Sequence, residues 1–234
     1  MDIATIIRDL RTSPNLQEFI NRRFNDPAKI VLERHDVAGV LMTTGGKFKL
    51  TRMIGNATHV TREVDLTDIR PDDIVLDIGA CIGGFTVPAA LRCAHVYAVE
   101  PLYADELREN IAFNSLENVT VLEKAIAPTP GDRVTLTYAG TTKTVETVTF
   151  ADLVRTMHPS FLKCDCEGGE WTIDPIDLAD IRRIEMEIHH GDASFFPANP
   201  HLVPYLTYHW TTTIDRSADG RCEFVHAHPN RADD

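Results

Sequence analysis

The stretch Ile74-Val75-Leu76-Asp77-Ile78-Gly79-Ala80-Cys81-Ile82-Gly83-Gly84-Phe85 decides how the rest of the chain is read. Its opening apolar run lacks polar alternation, the mark of a strand buried on both faces, as in parallel sheets. Glycines follow where the strand must bend sharply into a helix starting near Phe85, and there a backbone can approach a ligand closely. A binding site is therefore expected just past the strand's carboxyl end.

The alternation continues downstream. His95 to Val99, Val119 to Leu122, Phe161 to Cys166 and Ile181 to Ile188 read as strands; Phe85 to Leu91, Ala104 to Phe113 and Phe150 to Met157 have helical spacing. Val134 to Tyr138 and Thr144 to Val148 predict a hairpin around Ala139-Gly140. Leu206 to Ile214 and Cys222 to Val225 predict a closing antiparallel hairpin through Ala218-Asp219-Gly220. The expected fold is α/β, with a mainly parallel sheet covered by helices on both faces and spanning residues 71–230. A frayed tail is expected from Asn230.

Residues 1–70 read as an accessory or lid region. An amphipathic segment runs from Ile3 to Leu10, and Ser13-Pro14 starts a helix over Asn15 to Phe24 that Asn25-Asp26-Pro27 stops. Short strands are expected at Ile30 to Leu32, Val37 to Met42 and Phe48 to Ile54, broken by Gly45-Gly46 and Gly55-Asn56.

Composition bounds the function. The 234 residues are 43% hydrophobic and 25% charged, which suits a packed domain rather than a disordered chain. Lys and Arg total 23 against 35 acidic residues, a net charge of -12 that repels polyanions and argues against nucleic acid as partner. No apolar run is long enough to span a bilayer, and the first residues mix charge into their apolar positions. A protein neither exported nor membrane-bound is expected. The five cysteines lack paired Cys-x-x-Cys spacing, so they are expected as free thiols in a reducing, cytoplasmic setting. The sequence does not determine an oligomeric state.

The glycine spacing departs from the dinucleotide Gly-x-Gly-x-x-Gly, because an acid, Asp77, precedes the first glycine by two. That suits an adenosyl-amino acid, whose ammonium wants a carboxylate and which carries no pyrophosphate. One strand later Val96-Tyr97-Ala98-Val99-Glu100 ends in an acid able to accept bonds from both hydroxyls of a ribose. Either feature alone is a common turn or a common strand end; in this order they describe a nucleoside site.

Asp77 to Gly83 with Phe85-Thr86, Glu100-Pro101, Asn110 to Asn114, Thr149 to Leu153 and Lys163-Cys164-Asp165-Cys166-Glu167-Gly168-Gly169-Glu170 resemble the FkbM family of methyltransferases from about Val75 to His189. The Lys-x-Asp-x-Glu-Gly-x-Glu segment is unusual among methyltransferases at large. The resemblance implies a Rossmann-like class I methyltransferase fold with a seven-stranded sheet. It also implies S-adenosyl-L-methionine as donor and an oxygen of a small-molecule or sugar-like acceptor. The cofactor contacts expected are Asp77, Gly79, Ala80, Cys81, Gly83, Phe85, Glu100, Pro101, Leu102 and Ala125. Cys81 stands where the family commonly has asparagine.

Methyl transfer is an in-line displacement that must align acceptor, methyl and sulfur and must remove a proton from a hydroxyl acceptor. Asp165 is the first candidate on the acceptor side, with Glu167 and Glu170 beside it; its structural alternative is a carboxylate neutralised by Lys163 or capping a helix. In an extended strand Lys163 and Asp165 share one face, outward or toward the cleft, while Cys164 and Cys166 share the other. Glu185, Glu187 and His189 likewise share a face, and a neutral His189 is the candidate general base. Asp165, Glu187 and His189 can converge from adjacent strands as mixed oxygen and nitrogen donors for manganese, magnesium or zinc. Spacing across strands is not readable from sequence, so a divalent metal is left as an option.

Three other readings compete. Asn110 to Asn114 and Glu100-Pro101 also resemble parts of archaeal transfer-RNA methyltransferases, but charge and the lack of an Asn-Pro-Pro-Tyr type segment oppose an RNA substrate. A nucleoside-binding module without catalysis is the second. An oxidoreductase is the third, and the loop spacing disfavours its pyrophosphate contacts.

Overall fold

Strands buried on both faces need apolar side chains at successive positions, and the chain supplies them in order. The computed structural model describes residues 40–43, 46–49, 64–191, 194, 196–217 and 219–229. Its strands are β1 (Val40–Thr43), β2 (Gly46–Lys49), β3 (Ile74–Ile78), β4 (His95–Val99), β5 (Val119–Leu122) and β6 (Lys124–Ile126), then β7 (Arg133–Tyr138), β8 (Thr141–Val148), β9 (Phe161–Cys164), β10 (Arg183–His189), β11 (Trp210–Arg216) and β12 (Cys222–Pro229). Its helices are α1 (Thr86–Ala90), α2 (Ala104–Phe113), α3 (Phe150–Met157) and α4 (Leu202–His209). Short 3-10 turns cover Gly169–Thr172 and Pro175–Leu178. Among the described residues, no helix is long and apolar enough to cross a membrane.

The main sheet has seven strands in the order β5-β4-β3-β9-β10-β12-β11. β5 through β10 run parallel, while β12 is antiparallel to both β10 and β11. This bears out the mainly parallel, Rossmann-like α/β expectation. A second sheet, β6-β8-β7, carries the expected hairpin, and the break at Gly45-Gly46 does separate an antiparallel pair, β1 and β2. The segments expected at 3–10, 15–24 and 30–32 lie outside the described residues, as do 37–39, 50–54 and the tail 230–234.

Alternate residues of each strand serve opposite layers. Leu76, Ile78, Leu162 and Ile184 pack with Leu153 of α3 and with Leu202 and Leu206 of α4. Val75, Val96 and Phe161 pack with Ala89 of α1 and Leu107 of α2. Phe161 stacks on Phe85 at 5.9 Å between ring centroids, and truncating such a core aromatic to alanine costs about 3–5 kcal/mol. That second face also buries charge. Asp77, Lys163 and Glu185 are register neighbours across β3, β9 and β10, and His226 of β12 follows Glu185 in the same row. Lys163 lies between Asp77 and Glu185 in that row, and Arg183 adds a bond to Glu185.

Two boundaries differ from expectation. Leu206 to His209 is helical, not extended: Leu202 and Leu206, four apart and fully buried, anchor α4 on the sheet, and the strand begins only at Trp210. Here tertiary burial overrides the β propensity of Thr207 and Tyr208. The fourth parallel strand ends at Cys164 rather than Cys166, although the Asp165 amide still donates to the Ile78 carbonyl at 3.0 Å.

Candidate active site

From β3 the chain moves outward through β4 and β5, and from β9 it moves the other way through β10. The strand order therefore reverses between β3 and β9, and at such a switch point a crevice opens beyond the carboxyl ends of the strands. A cavity of about 210 Å³ lies there. Loops after β3, β4 and β9 form its floor, Lys124 to Ala127 one wall, and Val134, Leu136, Thr137 and Tyr138 of β7 its cover.

The glycine loop is set by close backbone contact. Gly79 has φ +76°, and a Cβ there would stand 1.7 Å from the Asp165 carbonyl oxygen, so only glycine lets the β3 and β9 ends meet. Gly83, at φ +95°, would strike the Leu107 side chain at 2.8 Å. Cys81 holds a left-handed φ of +50° without being glycine. Asparagine tolerates that region best among larger residues.

Gly79, Cys81, Glu100, Pro101, Leu102 and Ala125 all line the cavity. Asp77, Ala80, Gly83 and Phe85 are not among its lining residues. Asp77 is fully buried, accepts a bond from the Thr86 hydroxyl and faces Lys163 Nζ at 3.3 Å. Burial, resisted by Lys163 and Thr86, pushes its pKa up. Lys163, expected to face outward or into the cleft, is only 2% exposed and donates to the Gly79 carbonyl at 2.8 Å. Asp77 is thus linked to the loop through Lys163. Ala80, Gly83 and Phe85 pack behind the wall.

Glu100 is 4% exposed, and its carboxylate accepts backbone N–H bonds from Cys81 (2.7 Å), Leu102 (2.6 Å) and Tyr103 (3.0 Å). A carboxylate offers roughly four lone-pair sites. With three taken, one is left for a further partner, fewer than the two ribose hydroxyls expected. Burial raises its pKa against those three amides.

At the opposite end, Asp165 and Glu167 line the cavity and His189 stands behind them. Glu167 sits at φ +57° and accepts a bond from the Tyr138 phenol; burial raises its pKa while His189 pulls it down. Glu170, expected beside Asp165, turns inward instead. Fully buried, it accepts the His189 amide at 2.6 Å and faces His189 Nδ1 at 3.0 Å on one oxygen, and accepts the Gly168 amide at 2.9 Å on the other. Glu185, Glu187 and His189 do share one face of β10 as expected.

His189 stands among four carboxylates. Burial works against its charge, but the Glu170 bond and the charges of Glu170, Asp165 and Glu167 outweigh burial and push its pKa up to about 9. Four carboxylates around one ring favour its protonated form, against the neutral ring expected of a general base. The sequence reading paired Lys163 with Asp165, which stands 3.7 Å away, but did not foresee its bonds to Asp77 and the Gly79 carbonyl or the cover by Tyr138. The quoted Lys-x-Asp-x-Glu-Gly-x-Glu segment carried a hint of the first, since a lysine inside an apolar strand needs a buried counter-charge.

The pattern of the family described as "Methyltransferase FkbM domain" matches residues 77–221. A stretch of 67 residues, 28% of this chain, is 45% identical to the 23S rRNA (uracil(1939)-C(5))-methyltransferase RlmD of Klebsiella pneumoniae subsp. pneumoniae, but covers only 15% of that protein. Among solved structures, the chain is similar to a precorrin-6y C5,15-methyltransferase from Geobacter metallireducens, with 13% identity, a TM-score of 0.48 and coverage of 77% of this chain and 90% of that one. It is also similar to TYW2 of M. jannaschii in complex with AdoMet, with 17% identity, a TM-score of 0.46 and coverage of 84% and 85%.

Proposed function

The chain belongs to the FkbM methyltransferase family, and from that premise we propose that it methylates a hydroxyl oxygen of a small, sugar-like acceptor. One observation carries the proposal: a single cavity at the sheet's switch point has Glu100 at one end and Asp165 with Glu167 at the other. S-adenosyl-L-methionine supplies an electrophilic methyl on a sulfonium centre. The free lone pair of Glu100 takes one ribose hydroxyl, while Leu102, Ala125 and Ile126 offer apolar surface to a planar base. The Lys163 bond to Gly79 fixes the loop that backs the cofactor's amino-acid end. Asp165 orients the acceptor hydroxyl and draws its proton, and Glu167, held by Tyr138, lies beside it. Residues 1–70 form the accessory region, with β2 set against α2, which begins next to the cavity-lining Tyr103.

Calorimetry with S-adenosylhomocysteine tests the donor end. Saturable heat is expected, weakened at least tenfold in Glu100→Ala; a cooperatively folded protein giving no heat would overturn the donor assignment. Labelled methyl transfer tests the acceptor end, with hydroxylated small molecules offered beside total RNA at physiological salt. Label entering RNA would replace the small-molecule reading with the one that the partial likeness to an rRNA methyltransferase favours.

A further inference from the structure

The acceptor end holds a cluster, Asp165, Glu167 and His189, of which methyl transfer as described uses the carboxylates but not the imidazole. His189 Nε2 faces Glu167 Oε2 at 3.6 Å and Asp165 Oδ1 at 3.9 Å, and one ligand atom from each of these three residues lies within 4.8 Å of the others. Donors around a transition-metal ion stand about 3.0–3.4 Å apart when each lies about 2.1 Å from it. Small rotations of the two carboxylates, both partly exposed, close that difference.

A second observation concerns the ring rather than the acids. The His189 side chain is only 5% exposed, and Glu170 engages Nδ1, which leaves Nε2 as the atom aimed between the carboxylates. Among the described residues, Nε2 finds no hydrogen-bond partner; its polar neighbours all stand at 3.6 Å or more. A buried carboxylate behind an imidazole, with the far nitrogen open toward acidic oxygens, is how proteins orient a metal-binding histidine. The other two residues have outer partners as well: the Tyr138 phenol bonds Glu167, and Lys163 stands 3.7 Å from Asp165. Glu187, the third acid expected near His189, is engaged by the Cys222 thiol and is not among the cavity's lining residues.

We propose that Asp165, Glu167 and His189 bind one divalent transition-metal ion of the manganese or zinc type at the acceptor end of the cavity. Two carboxylates and an imidazole suit these ions better than magnesium, which prefers oxygen and water throughout. Asp165 and Glu167 line the cavity, so the remaining coordination positions open into it, where an acceptor oxygen completes the shell. The ion site stands on its own geometry and does not depend on the identity of the methyl donor.

The test uses full-length protein stripped with chelator, then titrated calorimetrically with manganese and with zinc, and separately with S-adenosylhomocysteine. One ion per chain is expected. Affinity should fall at least tenfold in Asp165→Asn and in Glu167→Gln, whose partly exposed position lets it fold. Glu170→Gln, which never touches the ion, should weaken binding about 10–100-fold by loosening the ring. Cooperatively folded protein that binds neither ion saturably would overturn the proposal, as would unchanged affinity in both Asp165→Asn and Glu167→Gln. Ion binding that persists where S-adenosylhomocysteine gives no heat supports the ion site and removes the donor assignment alone.

Discussion

Lys163→Met should be the most costly single change at the core of the site. It removes the cation between Asp77 at 3.3 Å and Asp165 at 3.7 Å, and deletes a 2.8 Å bond to the Gly79 carbonyl. Asp77, with no exposed surface, then keeps only Thr86. Breaking a buried pair from one side costs about 3–5 kcal/mol because the remaining charge stays buried. For a chain of this size that lowers the melting temperature by roughly 6–20 °C. The pH dependence has a definite sign. Asp77 already has a raised pKa, and without Lys163 it rises further, so the variant's deficit should grow as pH climbs through that value and shrink in acid. Urea melts at several pH values measure this, with Asp77→Asn and the double variant completing a cycle. The double variant should recover part of the loss. A loss under about 1 kcal/mol, or strict additivity of the two changes, would refute the buried pair as the loop's anchor.

Three more outcomes are expected. Gly79→Ala should abolish S-adenosylhomocysteine binding in calorimetry, because its methyl meets the Asp165 carbonyl, while Gly131→Ala, at φ +80° with open space around it, should cost only about 1 kcal/mol in a thermal melt. Asp73 accepts bonds from Arg182, Ser160 and the Arg70 amide, each at 2.7 Å, and these hold its pKa below 3.8 although burial opposes them. Its stabilisation is complete above pH 3.8 and fades as pH falls through the lowered folded value, so Asp73→Asn should flatten that part of an acid melt. Cys81→Asn should raise stability by on the order of 1 kcal/mol in chemical denaturation, since asparagine accepts a left-handed φ more readily.

Much of the architecture was legible because buried parallel strands announce themselves as unbroken apolar runs. Ile74 to Ile78, His95 to Val99 and Val119 to Leu122 needed only that signal and the glycine bend between them. The α4 helix was not legible, since Leu206 to Trp210 mixes aromatic and β-branched residues and only the docking of Leu202 and Leu206 decides the conformation. At the site, position along the strands was readable and partnership was not. Gly79, Glu100 and Asp165 fall at strand ends and do reach the cavity. Whether Asp77 meets a ligand or Lys163, and whether His189 is neutral or charged, depends on which strands become neighbours. The Asp77 and Lys163 register and the Glu170 contact with His189 exist only after β3, β9 and β10 align.

Main chain against main chain at Gly79 and Asp165 ties the two halves of the reaction chamber at a spacing that no side-chain exchange can reset. The loops after β3 and β9 behave as one casting: an insertion in either would have to be matched in the other. The β7–β8 hairpin overhead stands outside that weld and meets the loop after β4 through a side-chain bond, from the Tyr103 hydroxyl to the Tyr138 carbonyl.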